Sequence, residues 1–249
     1  MREIAIALAV QEEWRGLRGR LQERRPHMVG GLPATRGQLS GVPVFVFLTG
    51  SGKAASAQAA ERALSAVEPA CLVIAGFGAA VAPGPRPGDL VVATFVGAEG
   101  CADALPCDRH LQDAAARARP TGVAVFSGPL VTTAHVLIHP DEKARVAAET
   151  GAVVVDMESD PVARVAASLG IPFVAIRAVT DAANDTMPLD FNAHVDAAGY
   201  IRRGAIVAAA MRRPRSIAGL VRLGRDSARA ARNLGAFLEA LCAELGRAT

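Results

Sequence analysis

Apolar and polar positions alternate along this chain with two periods, one helical and one extended. Ile4–Val10 is a short apolar run that gives way at once to Glu12 and Glu13, and it predicts a buried first strand rather than a secretory leader. Gln11–Glu23 places Trp14, Leu17 and Leu21 on one face of a predicted helix. Thr35–Leu39 and Pro43–Leu48 flank Ser40-Gly41, the pattern of a hairpin. Ser51–Val67 reads as a helix entered through the glycines of Thr49-Gly50-Ser51-Gly52-Lys53. Buried strands are predicted at Cys71–Ala75, Asp89–Val96, Gly122–Thr132, Ala152–Val155 and Pro172–Val179, and helices at Pro140–Glu149 and Ser159–Leu169. Three prolines deny backbone donors to Pro83–Gly88, which must be a loop.

Strands separated by helices predict an α/β fold, a single-domain three-layer αβα sandwich around a mixed central sheet. This domain is assigned residues 1–212, and 213–249 form a C-terminal amphipathic helical extension. Ligands of such sheets bind at the carboxyl ends of strands. That rule brings Gly76-Phe77-Gly78, Asp156–Glu158 and Thr180-Asp181 to one mouth.

Composition adds three restrictions. Hydrophobic residues are 51% and charged residues 20% of 249, enough for one large core, and no uncharged apolar run of about 18 residues predicts a membrane span. Cys71, Cys101, Cys107 and Cys242 form no CxxC pair and have no His at metal spacing. No metal is therefore expected, and Cys71 and Cys242 read as reduced core thiols of a cytoplasmic protein. The net charge of +3 is uneven: ten arginines from Arg202 onward face only Asp226, Glu239 and Glu244, so the remainder carries a net negative charge.

In the tail, Arg212-Arg213-Pro214-Arg215 interrupts a helix expected over His194–Met211. Ile217–Leu245 then sets Ile217, Leu220, Val221, Ala228, Ala231, Leu234, Leu238, Leu241, Cys242 and Leu245 on one face, with Arg222, Arg225, Arg229 and Arg232 nearly opposite. Such a helix either lies in a membrane interface, at the inner face of the membrane, or docks on its own body or on a partner copy. A homo-oligomer is expected. The single Trp and single Tyr both lie outside the tail, so the stacking platforms of a nucleic-acid binder are missing and no such partner is expected.

Three acids sit at three separate strand ends. Cleaving the N-glycosidic bond of a purine nucleoside needs an acid near the base, a carboxylate on the sugar hydroxyls and an oriented nucleophile. Asp181, just past a buried strand, suits the first, since burial raises a carboxyl pKa. Glu158 suits the ribose diol, and either Glu12 or Glu13 could activate a water. Each has a plainer reading: Glu12 and Glu13 as helix N-terminal charges, Asp181 as a turn or cap residue, Glu158 as a first-turn helix acid.

Over roughly residues 3–210 the chain resembles the purine and uridine phosphorylase superfamily, most closely its methylthioadenosine/S-adenosylhomocysteine nucleosidase branch. Ala9-Val10-Gln11-Glu12-Glu13 is similar to that branch's Ala-Met-Glu-Glu-Glu, whose last acid activates water, which points to Glu13. Thr49-Gly50-Ser51-Gly52-Lys53 is similar to its Gly-x-Gly-Lys turn. Val155-Asp156-Met157-Glu158 resembles Val-Glu-Met-Glu, where Met157 and Glu158 would hold the ribose. Ile176-Arg177-Ala178-Val179-Thr180-Asp181 resembles Val-Arg-Ala-Ile-Ser-Asp, whose Asp protonates the purine. The resemblance further implies that Val136 contacts adenine through its backbone and that Phe191 lines the pocket for the 5′ substituent. Phe77, Gly78 and Thr180 complete the expected substrate-binding set, and a nucleoside phosphorylase-like fold is implied.

The departures bear on the nucleophile. Where a phosphorylase would place an Arg and a Ser against phosphate, Ile74 and Phe77 stand, and no Gly-Asp-Pro-x-x-Arg loop follows the first strand. Water is therefore expected ahead of phosphate. No cofactor is expected, and Lys53, Arg86 or Arg109 remain the candidates to serve phosphate as a co-substrate. The Gly76-Phe77-Gly78-Ala79-Ala80 turn, Thr180-Asp181-x-Ala-Asn-Asp185 and the Arg-rich tail are also similar to the hopanoid-associated phosphorylase family, which releases adenine from the lipid adenosylhopane. A lipid-linked adenine nucleoside is thus the leading expected substrate, with peripheral membrane contact through the tail. A soluble methylthioadenosine/adenosylhomocysteine nucleosidase is the alternative, and a non-catalytic nucleoside-binding module is a third reading of a different class.

Overall fold

The computed structural model describes residues 3–194 and 215–247. The helix expected over His194–Met211 and the break at Arg212–Pro214 lie outside the described residues.

A mixed ten-stranded sheet forms the centre. β1 (Ile4–Leu8), every residue of it buried, pairs in parallel with both β4 (Val42–Leu48) and β5 (Cys71–Ala80). An uninterrupted apolar strand is what a central parallel position demands, because both faces are covered. β5 continues in parallel to β10 (Phe173–Asp181), which is antiparallel to β6 (Leu90–Ala98). β6 runs parallel to β8 (Val125–Thr132), and β8 to β9 (Val154–Asp156). β9 then returns antiparallel to the end of β5, so five strands close on themselves. This closure gathers the ends of β5, β9 and β10 at one place.

The outer strands β2 (Gln22–Val29) and β3 (Leu32–Leu39) extend the sheet beyond β4, and β7 (Leu105–Pro106) pairs with β6. β2 corrects the sequence reading, which carries a helix through Glu23. The helix α1 (Gln11–Arg18) stops at Arg18, and Gln22–Val29, exposed except for Val29, is an edge strand. Its charges and Pro26 hide the two-residue period, and they are what keeps an edge from pairing with another chain. The strand expected over 71–75 runs on to Ala80, which carries Gly76, Phe77 and Gly78 into the sheet itself.

Helices α2 (Lys53–Val67), α4 (Pro140–Thr150) and α5 (Ser159–Ser168) lie close to their predicted bounds. α3 (Arg109–Arg117) is an addition to the sequence reading, started by the Asp108 carboxylate accepting the Leu111 amide at 3.0 Å. α2 packs on α5, while the long α6 (Arg215–Arg247) packs along α1 and α3 and reaches β10.

The tail helix is thus part of the body. Leu234, Phe237, Leu238 and Leu241 are fully buried in the main core, and burial pushes the Cys71 and Cys242 thiols up to about 12. The apolar stripe offered to a membrane is, from Ala230 to Cys242, largely taken up by the protein's own core, whereas Ile217, Val221 and Ala228, nearer its start, stand exposed. α1 and α6 cross at glycines. A Cβ on Gly235 would fall 2.2 Å from the Gly16 carbonyl oxygen, so the backbones touch. Gly235→Ala is expected to cost about 1–3 kcal/mol by overpacking, read as a lowered urea midpoint; an unchanged midpoint would show that this crossing does not hold α6 in place.

Candidate active site

The site grows from the ends of β1, β5, β9 and β10. Val10, two residues past the first strand, caps α1, and Glu13 in its first turn folds back: its Oε2 accepts the amides of Ala9 (2.7 Å) and Val10 (3.0 Å). Its Oε1 accepts the Phe77 amide at 2.8 Å, so one carboxylate joins β1 to β5. Glu13 is 3% exposed, and burial raises its pKa against the opposing pull of Arg177 and these amides. Glu12 instead lies on the rim with a partly exposed side chain. Of the two acids, Glu13 is the one that is buried and lines the cavity.

Arg177, in the middle of β10, is 2% exposed. Its Nη2 meets Asp156 Oδ2 at 2.7 Å and donates to the Ser159 hydroxyl. Asp156 is in turn held by the Thr132 hydroxyl (2.7 Å) and the Ser159 amide (2.9 Å). Gly76 is what admits this arrangement: a Cβ there would stand 2.2 Å from Arg177 Nη1 and 2.7 Å from Glu13 Oε1.

Glu158 follows β9 and is partly buried. Its Oε1 accepts the Gly52 amide at 2.9 Å, at the start of α2, where the helix dipole favours a negative charge. The glycine turn expected from the sequence therefore grips a carboxylate of the protein. Burial first, then the neighbouring Asp156 charge, pushes Glu158 up to about 7.

Asp181 ends β10 behind a bulge: Val179 pairs with Gly78 and Asp181 with Ala79, leaving Thr180 unpaired. Bulges re-aim side chains next to sites. The Thr180 hydroxyl lies 2.8 Å from Asp181 Oδ1 and 3.3 Å from the Gly78 carbonyl. On the other oxygen, Oδ2, stands the ammonium of Lys143 at 2.5 Å. Burial raises the Asp181 pKa, with Lys143 acting against it.

One cavity of about 300 Å³ joins these parts. Glu13, Phe77, Gly78, Val136, Met157, Glu158, Thr180, Asp181 and Phe191 all line it, every site residue expected from the sequence. The sequence reading places Asp156 at the mouth without a role and assigns none to Arg177 or Lys143. A lone arginine inside the apolar Phe173–Val179 run was the available signal for Arg177; nothing local marked Lys143. Val136 is brought to the cavity with its backbone already engaged, since its amide and carbonyl both pair with the Asn192 carboxamide at 2.9 Å. Among the described residues no Arg or Lys lines the cavity, and Lys53, Arg86 and Arg109 lie away from its wall.

The phosphorylase superfamily model matches residues 3–211. A methylthioadenosine/adenosylhomocysteine nucleosidase of Geobacillus thermodenitrificans is 28% identical over 212 residues, covering 78% of this chain and 90% of the relative. One from Actinobacillus succinogenes is 27% identical over 206 residues, covering 76% and 90%. The solved nucleosidase of Colwellia psychrerythraea in complex with adenine superimposes with a TM-score of 0.78 at 19% identity, over 98% of this chain and 96% of that one. The chain belongs to the phosphorylase superfamily.

The raised Glu158 carboxyl links this site to stability. Folding takes up a proton at Glu158, so its contribution is full at acid pH and is lost as pH rises through about 7. Glu158→Gln removes that titration. The variant is expected to melt higher than the parent above pH 7, with the gain vanishing toward pH 4.5; a melting difference independent of pH would contradict the assignment.

Proposed function

We propose that this member of the superfamily hydrolyses the N-glycosidic bond of a 5′-substituted adenosine and releases adenine. The observation that carries the reading is the convergence of Glu13, Glu158 and Asp181, from three separate strand ends, on one cavity where burial raises all three pKa values. Their surroundings differ in the way acid and base roles require. Asp181, raised by burial, holds a proton for a purine ring nitrogen. Glu13, with both oxygens on backbone amides and Arg177 nearby, is held toward the carboxylate that takes a proton from water.

In the proposed reaction the C1′–N9 bond breaks with its electron pair on adenine as Asp181 delivers its proton to the base. The water oxygen bonds C1′ and its proton passes to Glu13. Glu158 grips the ribose hydroxyls, with Met157 against the sugar. Water is favoured over phosphate because the cavity wall among the described residues carries four acids and no Arg or Lys, and a dianion there would meet repulsion and no fork. The relatives named above carry thioether nucleosides in their names, and such a thioether is the first substrate to assay.

A second reading, an adenosine bearing a bulky apolar 5′ group such as adenosylhopane, is favoured by one observation. Leu223 and Ser227 of α6 line the nucleoside cavity beside Phe191 and Met187. An adjoining space of about 500 Å³, walled by Leu220, Gly224, Ala228 and Ala231, continues past Phe191. A lipid-borne substrate would present its membrane to the exposed Ile217 and Val221 next to Arg222 and Arg225.

Adenine release from methylthioadenosine, adenosylhomocysteine and adenosylhopane, each with and without phosphate, separates these readings. Adenine with free pentose, independent of phosphate, is expected; strict phosphate dependence would refute the water mechanism. Asp181→Asn and Glu13→Gln are each expected to lose about 10²–10⁴-fold in kcat, and near-parental turnover in Asp181→Asn would remove it as the acid.

A further inference from the structure

Lys143 is one of only two lysines in a chain with 25 arginines, and it is the one fully buried, at 0% exposure. Its ammonium has three protons and three acceptors: Asp181 Oδ2 at 2.5 Å, the Ala182 carbonyl at 2.8 Å and the Asp185 carbonyl at 3.1 Å. All three belong to one turn, closed by the Ala182 amide on Asp185 Oδ2 (2.9 Å) and the Asp185 amide on the Ala182 carbonyl (3.0 Å). A tetrahedral point charge fits three converging oxygens, whereas a planar guanidinium fork does not. A buried ammonium is costly to keep, and here every donor is met.

We propose that Lys143 is a positioning residue for the general acid: it reserves Asp181 Oδ2, leaves the transferable proton to Oδ1, and stabilises the carboxylate left after that proton departs. This rests on the reading of Asp181 as the acid. With Oδ2 held by the ammonium, Oδ1 faces, among the described residues, the Thr180 hydroxyl. That hydroxyl donates to the carboxylate, or turns to the Gly78 carbonyl and accepts from the acid, so it serves both protonation states. The proton goes from Oδ1 to the base; Lys143 keeps its own three and supplies charge.

Other groups face Asp181 but none replaces this one. Asp185 is on the same turn and is tied to Arg222 of α6 at 3.0 Å. Arg222 and Asp226 share the adjoining space of about 380 Å³. His135, from the loop after β8, lines the nucleoside cavity together with Glu13, Asp156 and Glu158. Among the described residues, Lys143 is the cation in contact with the carboxylate.

The test is the pH dependence of adenine release by Lys143→Met in the full chain. Losing the ammonium weakens Asp181 as an acid and raises its pKa. Turnover is therefore expected to fall at least about 10-fold, while the alkaline limb of the rate profile moves up by about 1 pH unit or more. If Lys143→Met does not fold, Lys143→Gln gives the same readout, since its amide keeps donors on the turn and carries no charge. Aminoethylation of Lys143→Cys, against parent treated alike, is expected to restore both rate and limb. A folded neutral variant with lowered turnover and an unmoved limb overturns the proposal and leaves Lys143 a structural brace. Asp181→Asn, measured alongside, tells the two failures apart: if it stays active, the acid assignment falls first.

Discussion

A guanidinium in the middle of a buried strand has to be met by acids, and the candidate site is built around that requirement. Arg177 cannot reach water, so Asp156 comes to it from the end of β9, and Glu13 stands near it from the start of α1. Meeting it ties five strands together. β1 and β5 share the Glu13 carboxylate, β9 supplies Asp156, β8 steadies Asp156 through Thr132, and β10 carries the arginine. Gly76 follows from the same constraint, because any side chain there would occupy the space between the two charges. A charge set of this kind contributes little net stability over an apolar core, and what it fixes is geometry.

Three carboxyls within one cavity would repel one another if their surroundings were alike. They are not alike. Glu13 takes three backbone amides, Glu158 takes one at a helix start beside the Asp156 charge, and Asp181 faces a lysine across one oxygen and a hydroxyl across the other. Burial raises all three, and local donors then set them apart, which is how one fold separates an acid from a base.

The long C-terminal helix belongs to the same logic. Its second half fills the core against α1, and its first half walls the cavity at Leu223 and Ser227. Arg222 also reaches Asp185, on the turn that Lys143 holds. The helix therefore touches the loop of Asp181 as well as the space beyond Phe191.

Much of this was legible in the sequence. Continuous apolar runs marked β1, β5 and β10, and acids at the ends of apolar runs marked Glu13, Glu158 and Asp181, because burial pattern and strand ends are local properties. The edge strand β2 was not legible, since its exposed charges carry no period and its pairing with β3 is what makes it extended. Residues 217–245 showed an amphipathic stripe, yet whether that stripe met lipid or the protein depended on a backbone contact between Gly16 and Gly235, over two hundred positions apart. The burial of Glu13 beside the rim position of Glu12, the charge relation of Arg177 to Asp156, and the ammonium of Lys143 on Asp181 likewise came only with the tertiary structure. The sequence determined which residues could carry charge into the core; the closing of the sheet decided which charges would meet there, because pairing between distant strands sets distances that no local pattern encodes.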